Sequence, residues 1–302
     1  MQTLQLLISG IAQGMIYALV AFGYNITFST SKTLNFSLGN FLMLGGVVGF
    51  VLYMTRGYPV AAALAAVIVV GAIGGAILLK VGIEPSLRQR NAYGWILATL
   101  AVGIILRNGA EVFWSTDDFK FRSPLGDSPL RLFGHHEADG SVSGGLGVYP
   151  QELLIIAVSL AIVGVVETFK KVTVFGKAVQ AVSEDKDTAS LMGIDQKFVI
   201  LFSFMLSTAI ACVAGVLVAP ITLVSATMGT VLGVKAYSAS IIGGLESGYG
   251  AVVGGLFLGI SESLTARFIS TGYKDVPGFV VLILLLLFKP SGLFGRAAIR
   301  KV

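Results

Sequence analysis

Nine stretches of this chain are apolar over lengths that lipid accommodates and water does not. They lie at about 4–28, 34–54, 60–83, 95–113, 150–170, 198–222, 231–245, 251–268 and 276–289. Breaks such as Arg56-Gly57-Tyr58-Pro59 and Glu84-Pro85-Ser86-Leu87-Arg88-Gln89-Arg90 separate them. A helix that crosses a bilayer needs about 20 mostly apolar residues, because the hydrocarbon layer is ~30 Å thick and each residue rises ~1.5 Å. Most of the runs meet that length. The seventh, 231–245, is short and contains Lys235, which suggests a broken or re-entrant piece. The expected fold is therefore an all-α polytopic membrane protein with about eight to ten transmembrane segments. Hydrophobic residues make up 55% of the chain and charged ones 12%, against roughly a quarter charged in an ordinary soluble domain.

Lys and Arg are distributed unevenly, and in membranes that asymmetry sets orientation. If each run crosses once from an outer N-terminus, one side receives Lys32, Lys80, Arg88, Arg90, Lys170, Lys171, Lys177, Lys186, Lys197, Lys289, Arg296, Arg300 and Lys301. The other receives Arg56, Lys120, Arg122, Arg131 and Lys274. This expectation places the C-terminus in the cytoplasm of a bacterial inner-membrane, multi-pass protein. The net charge of +5 is then topology and not a nucleic-acid surface. The chain opens Met1-Gln2-Thr3 with no basic residue before Lys32, so the positive region of a cleaved signal peptide is missing. Two connections are long: an outer loop, 114–149, of mixed charge (Asp117, Asp118, Lys120, Arg122, Asp127, Arg131, Glu137, Asp139), and a cytoplasmic loop, 171–197. No separate soluble domain is expected within 1–302. Four runs precede the fifth helix and four follow it, an arrangement that would invert the second unit relative to the first. Asn35-Phe36-Ser37-Leu38-Gly39 and Tyr237-Ser238-Ala239-Ser240-Ile241-Ile242-Gly243-Gly244 match weakly. An inverted repeat and chance likeness of Gly-rich segments explain that match equally well.

Thirty-eight glycines in an apolar chain point to close helix contacts, since lipid supplies no hydrophobic drive for helices to associate. The pairs Gly10/Gly14, Gly45/Gly49, Gly71/Gly75 and Gly255/Gly259, each four apart, read as packing surfaces. The one cysteine, Cys212, permits no internal disulfide. Polar side chains at membrane depth are costly and mark either function or interhelical hydrogen bonds. Asn25, Asn35, Ser37, Asn40, Ser238, Ser240 and Glu262 qualify, and broken segments favour 35–40 and 235–244 as pathway candidates. Lys235 either functions at depth or snorkels. Arg107 and Glu111, four apart, read as an interfacial ion pair. His135 and His136 stand without further ligands at metal spacing, so no metal site is expected. Gly229-Thr-Val-Leu-Gly233-Val-Lys235 has the wrong spacing for a phosphate-binding loop, so no ATP site and no other cofactor is expected in this chain.

The stretch 176–194 carries the most information. Ser183 can cap a helix whose positive first turn holds Glu184 and Asp185, Gly193 can stop it, and Asp195 can cap the next span. Ala178, Val182, Ala189 and Met192 form an apolar stripe, which periodicity alone assigns equally to a protein partner or to the lipid surface. The segment reads Gly176-x-Ala178-x-x-Ala181-x-x-Glu184-Asp185-x-x-x-Ala189-x-Leu191-Met192-Gly193-Ile194. In this the chain resembles the permease subunits of ATP-binding-cassette (ABC) importers for branched-chain amino acids. The likeness extends to Gly14-Met15-Ile16-Tyr17-Ala18-Leu19, to Asn35-Phe36-Ser37-x-Gly39, and to Gly243-Gly244-x-x-Ser247-x-x-Gly250-Ala251-x-x-Gly254-Gly255. It continues through Tyr273-Lys274-Asp275 to Lys289-Pro290-x-Gly292-Leu293-x-Gly295-Arg296. One departure is that family members often carry His and Glu within 35–40, where this chain has Leu38 and Asn40.

The resemblance implies a single permease domain whose cytoplasmic loop couples to the ATPase. Gly176, Ala178, Ala181, Glu184, Asp185, Ala189, Leu191, Met192 and Gly193 are the coupling residues it marks. It also implies partners: a second homologous permease, two ATP-binding subunits and a periplasmic substrate-binding protein, with branched-chain or other hydrophobic amino acids as cargo and urea, amides or small acids as relatives of it. Two other classes stand beside it. A self-sufficient carrier or channel would use an intramembrane acid such as Glu262. An intramembrane enzyme would need a paired acid and base or a metal cluster at depth, and the sequence offers neither.

Overall fold

The computed structural model describes residues 2–88, 93–114, 117–126, 128–132, 135–136, 142–143, 146–289 and 291–295. Arg90, Asp127, Glu137, Asp139, Pro290, Arg296, Arg300 and Lys301 lie outside the described residues. The chain forms α1 (Gln2–Ser31), then α2 (Leu38–Phe50), which continues as a wide turn over Val51–Thr55. Next, α3 (Val60–Ile77) passes through a second wide turn, Leu78–Ile83, into α4 (Glu84–Arg88), and α5 follows (Gly94–Trp114). The connection between α5 and the next helix contributes short antiparallel pairs, β1 (Leu130–Leu132) with β4 (Leu146–Val148) and β2 (His135–His136) with β3 (Val142–Ser143). After them come α6 (Pro150–Val172), α7 (Val174–Glu184), α8 (Lys186–Leu191), α9 (Gln196–Val218), α10 (Met228–Gly243), α11 (Gly248–Phe268) and α12 (Val276–Phe288).

Among the described residues, eight helical stretches are long and apolar enough to span a bilayer: Thr3–Ser31, Leu38–Thr55, Val60–Ser86, Gly94–Trp114, Pro150–Val172, Gln196–Val218, Gly248–Phe268 and Thr271–Phe288. The short seventh run becomes α10, which is buried along most of its length. The second run starts later than its apolar pattern: residues 33–37 are non-helical, ending in a turn, and the helix begins at Leu38. Its counterpart at 219–227 is likewise non-helical before α10. α1 and α9 form the centre, fully buried at residues such as Tyr17, Phe22, Phe204 and Ala211.

The packing has an internal symmetry. Exchanging α1, α2, α3 and α5 for α9, α10, α11 and α12 maps the main contacts onto one another: α1–α11 onto α9–α3, α2–α9 onto α10–α1, α2–α3 onto α10–α11, and α2–α5 onto α10–α12. The proposed internal match changes register, however. Tyr237–Gly244 is the end of α10, whereas Asn35–Gly39 is the start of α2. The structural counterpart of Asn35-Phe36-Ser37-Leu38-Gly39-Asn40 is Ser225-Ala226-Thr227-Met228-Gly229-Thr230. In both, the amide of the fourth residue donates to the carbonyl of the first, Leu38 to Asn35 at 3.1 Å and Met228 to Ser225 at 3.3 Å.

The glycine pairs lie where expected, against neighbouring helices. A Cβ on Gly259 would meet the Gly14 backbone nitrogen at 2.3 Å, and one on Gly75 would meet the Phe204 carbonyl oxygen at 2.6 Å. Gly164 faces open space. Over-packing of such contacts costs about 1–3 kcal/mol or more. Gly259→Leu is therefore expected to lower the unfolding temperature of the purified protein sharply, while Gly164→Leu leaves it close to the parent; thermal unfolding in detergent compares the two.

Candidate functional site

The starts of α2 and α10 cross at their glycines. A Cβ on Gly39 would sit 2.7 Å from the Gly233 Cα, and one on Gly229 would sit 2.8 Å from the Met43 Cβ. Only residues without side chains let two backbones come this close. Beside the crossing lies a cavity of about 280 Å³, walled by Tyr24, Phe36, Leu100, Ile104, Val234 and Tyr237, with Asn40, Arg107 and Thr230 as its polar groups. Phe36 stacks on Trp95 with ring centres 6.3 Å apart, and Tyr237 meets both Phe36 and Tyr24 edge-on. The Asn40 side-chain oxygen and the Asn35 side-chain nitrogen are buried and have no hydrogen-bond partner.

Of the polar residues singled out at depth, Asn25, Ser37, Asn35 and Ser240 have local work. The Asn25 amide donates to the carbonyls of Ser247 at 2.7 Å and Gly244 at 3.3 Å, and its oxygen accepts from the Ser240 hydroxyl. These bonds tie α1 to the turn between α10 and α11. The Asn35 carboxamide oxygen accepts from the Ser37 amide at 3.1 Å and from its hydroxyl, shaping the entry to α2. Ser238 donates to the Val234 carbonyl one turn back, at 3.0 Å. Asn40 alone among the six lines the open cavity.

Lys235 does not snorkel. Its ammonium lies 3.0 Å from Glu262 and 2.7 Å from Asp275, and Tyr17 donates to the other Glu262 oxygen at 2.8 Å. Gln13 in turn donates to the Tyr17 hydroxyl at 3.0 Å. Glu262 is thus engaged by a cation and a phenol from two other helices. Tyr17 and Asp275 figure in the sequence reading only within the resemblance segments, and Gln13 not at all; Gln13 and Tyr17, four apart in an apolar run, were the available signal for a polar partner. Arg107 and Glu111 form the expected pair, at 3.1 Å.

At the end of the bundle where α1 finishes, the 171–197 loop folds as a foot. Thr173 caps α7 by accepting from the Gly176 amide at 2.9 Å. The second helix, α8, is capped not by Ser183 but by Asp185, which accepts from Asp187 at 3.0 Å and Thr188 at 3.2 Å. The reason is that α7, started by Thr173, continues through Ser183 to Glu184. Gly193 takes a φ of 84° and ends α8, and Asp195 caps α9, both as expected. Val179, Val182, Ala189 and Val199 form a small core of their own. Leu191 and Met192 project from it, 88% and 79% exposed. Ala178 is half-buried, so the foot presents this apolar tip and not the full stripe. Lys186 donates to the Ser31 carbonyl at 2.7 Å, joining α8 to the end of α1. Partial burial and the nearby Lys32 cation hold its ammonium below the usual lysine range. Behind α7 lies a polar cavity of about 600 Å³ bordered by the ion pairs Lys32–Glu246 and Lys170–Glu167.

The branched-chain amino acid transport system permease component family matches residues 6–288. The chain belongs to this permease family. It is 30% identical over 318 residues to the high-affinity branched-chain amino acid transport system permease protein LivH of Escherichia coli (strain K12), covering 99% of this chain and 97% of that one. It is 31% identical over 308 residues to the corresponding protein BraD of Pseudomonas aeruginosa, covering 99% and 98%. Among solved structures, PsaBC from Streptococcus pneumoniae in complex with Fab shares the fold, with a TM-score of 0.50, 14% identity, and coverage of 95% of this chain and 92% of that one. As a family permease the chain is a transport subunit, a multi-pass protein of the bacterial inner membrane, and one component of a larger system.

Removing one partner of a buried ion pair leaves an uncompensated charge and costs about 3–5 kcal/mol. Lys235→Met should therefore destabilise the protein strongly, and Lys235→Met with Glu262→Gln should recover part of the loss. Melting temperatures of the three proteins in the same detergent give the comparison.

Proposed function

We propose that this chain is the membrane-spanning permease subunit of an ABC importer for branched-chain or other hydrophobic amino acids. It would pair with a second homologous permease, two ATP-binding subunits and a periplasmic substrate-binding protein. ATP would be bound by those partner subunits, and this chain would need no cofactor. The whole of 1–302 would act as one permease domain, with the N-terminus outside, 114–149 as the outer loop facing the binding protein, and 171–197 meeting the ATPase. The family match over nearly the full chain supports this reading, as does the crowding of Lys32, Lys170, Lys171, Lys177, Lys186, Lys197 and Lys289 at the end that bears the foot.

The observation that carries the mechanism is the foot. It is a self-packed unit with an apolar tip at Leu191 and Met192, backed by a polar cavity that leaves it room to move. Nucleotide-driven motion of the ATPase would push this tip. The Lys186–Ser31 bond passes the push to the end of α1, and the Asn25 bonds pass it on to the α10–α11 turn. Rigid helices then carry it to the α2–α10 crossing, where access alternates. Asn40 and the α5 and α10 residues around it would form the pathway wall, with Asn25, Asn35, Ser37, Ser238 and Ser240 holding its shape from behind. A self-sufficient carrier running on Glu262 gains little support, because that carboxylate is already held by Lys235 and Tyr17.

Leu191→Asp with Met192→Asp is expected to leave the permease folded, because neither side chain is packed, and to release the ATPase subunits from the purified complex. Uptake should fall by about tenfold or more, as when an apolar anchor is lost from an interface. Retention of the ATPase at parental stoichiometry would count against the coupling role, and transport by the purified chain without nucleotide would sink the importer reading itself.

A further inference from the structure

The cavity at the helix crossing has features that packing alone does not require. It sits on an outer face of the bundle, with Ile104 60% and Val234 50% exposed, so lipid could cover its rim. Lipid cannot satisfy what lies inside the rim. The Asn40 side-chain oxygen is buried without a partner. Arg107 reaches Glu111 through its Nε, and a guanidinium has further donors to offer. Thr230 occupies the place in the second half that Asn40 occupies in the first, so the two polar side chains flank the pseudo-symmetric crossing. An unpaired buried amide oxygen is expensive, and such a group calls for an explanation that packing does not supply.

From this arrangement we infer that the permease itself carries a substrate-recognition subsite, with Arg107 for a carboxylate, Asn40 for an ammonium group, and Leu100, Ile104 and Val234 for an apolar side chain. The ligand class is a small zwitterionic α-amino acid with an aliphatic side chain. Asn40 lies against Gly103, where a Cβ would come within 2.6 Å of its nitrogen, and Arg107 stands one helical turn further along α5. Asn40 enters the cavity from α2 and Arg107 from α5, so a neutral amide and a cation line one small cavity and suit the two ends of one small solute. The cavity of about 280 Å³ matches a small solute in size, and its rings offer faces to an ammonium group as well as walls to a side chain. The second permease would close its open side. Selectivity would then be tested twice, once by the binding protein and again at this crossing.

The inference rests on the importer reading, and the experiment separates the two. The four-part complex is reconstituted in liposomes, and ATP-driven uptake of leucine and of alanine is measured with saturating binding protein. Each variant must first copurify with its ATPase subunits as a single peak. Asn40→Leu should cut uptake of both solutes by about tenfold or more, the scale of one lost hydrogen bond to a charged group, while Asn40→Asp, which keeps an acceptor oxygen, should retain most of it. Val234→Phe should narrow the cavity and lower the leucine-to-alanine uptake ratio by about fivefold, within the range that a change of one or a few methylenes gives. Parental uptake by Asn40→Leu, or equal loss of leucine and alanine uptake in Val234→Phe, overturns the subsite. Nucleotide-independent uptake by the parental complex would instead overturn the importer reading.

Discussion

Backbone amides and carbonyls inside a bilayer have no water to turn to, so any break in a helix at that depth must be satisfied by protein. The two short helices α2 and α10 create such breaks at 33–37 and 219–227, and each break is met by a different element. Val224 and Phe119 exchange paired backbone bonds at 2.9 Å, which binds the second break to the 114–149 loop. At the first, the Ser31 carbonyl accepts from Lys186 of the foot. The far end of α10 is held by the chain's tail, where the amides of Leu293 and Phe294 donate to the Ile242 and Gly243 carbonyls at 2.9 and 3.1 Å. Every one of these satisfactions is also a mechanical connection. The 114–149 loop, the foot and the crossing are joined by the bonds that the broken helices demand.

Charge at depth follows the same logic. Lys235 on α10 is tolerated because Glu262 on α11 and Asp275 at the start of α12 neutralise it, with Tyr17 of α1 completing the shell. This clamp fixes the lower-numbered half of α10 against three other helices, while its other end rests on the Asn25 turn. On either side of Lys235, α10 presents Val234 and Tyr237 to the cavity. Arg107 differs from Lys235 in being half exposed on its face with one carboxylate partner, which is why the cavity, and not the clamp, retains unsatisfied polar capacity.

Much of this was legible in the sequence because lipid imposes a coarse code. Run length gave about eight to ten spans, of which the described residues hold eight, the short run with Lys235 announced α10, and Gly193 and Asp195 marked the ends of elements that the structure confirms. Where reading failed, longer-range contacts decided. Ser183 looks like a cap in isolation, but Thr173 had already started a helix that runs through it, so Asp185 takes the role. Lys235 looks like a snorkelling residue until Glu262, 27 positions later, and Asp275, 40 positions later, close on it. The internal repeat was sought by residue identity and found a weak, misplaced match, because what the halves preserve is the order polar–x–hydroxyl–apolar–glycine–polar and the helix contacts, not the side chains themselves.

That preserved order bears on why the site lies where it does. In an inverted repeat the two equivalent starts enter from opposite sides and meet near the middle, each with the positive end of its helix dipole pointing inward. Gly39 and Gly229 permit the meeting, and the residues that follow them, Asn40 and Thr230, are carried to the same cavity by symmetry. Divergence at that pair alone could alter what the crossing accepts without disturbing the contacts that hold it. The departure noted at 35–40, with Leu38 buried against the core and Asn40 facing the cavity, divides in this way. Leu38 is packing, and Asn40 supplies a polar group to the cavity wall.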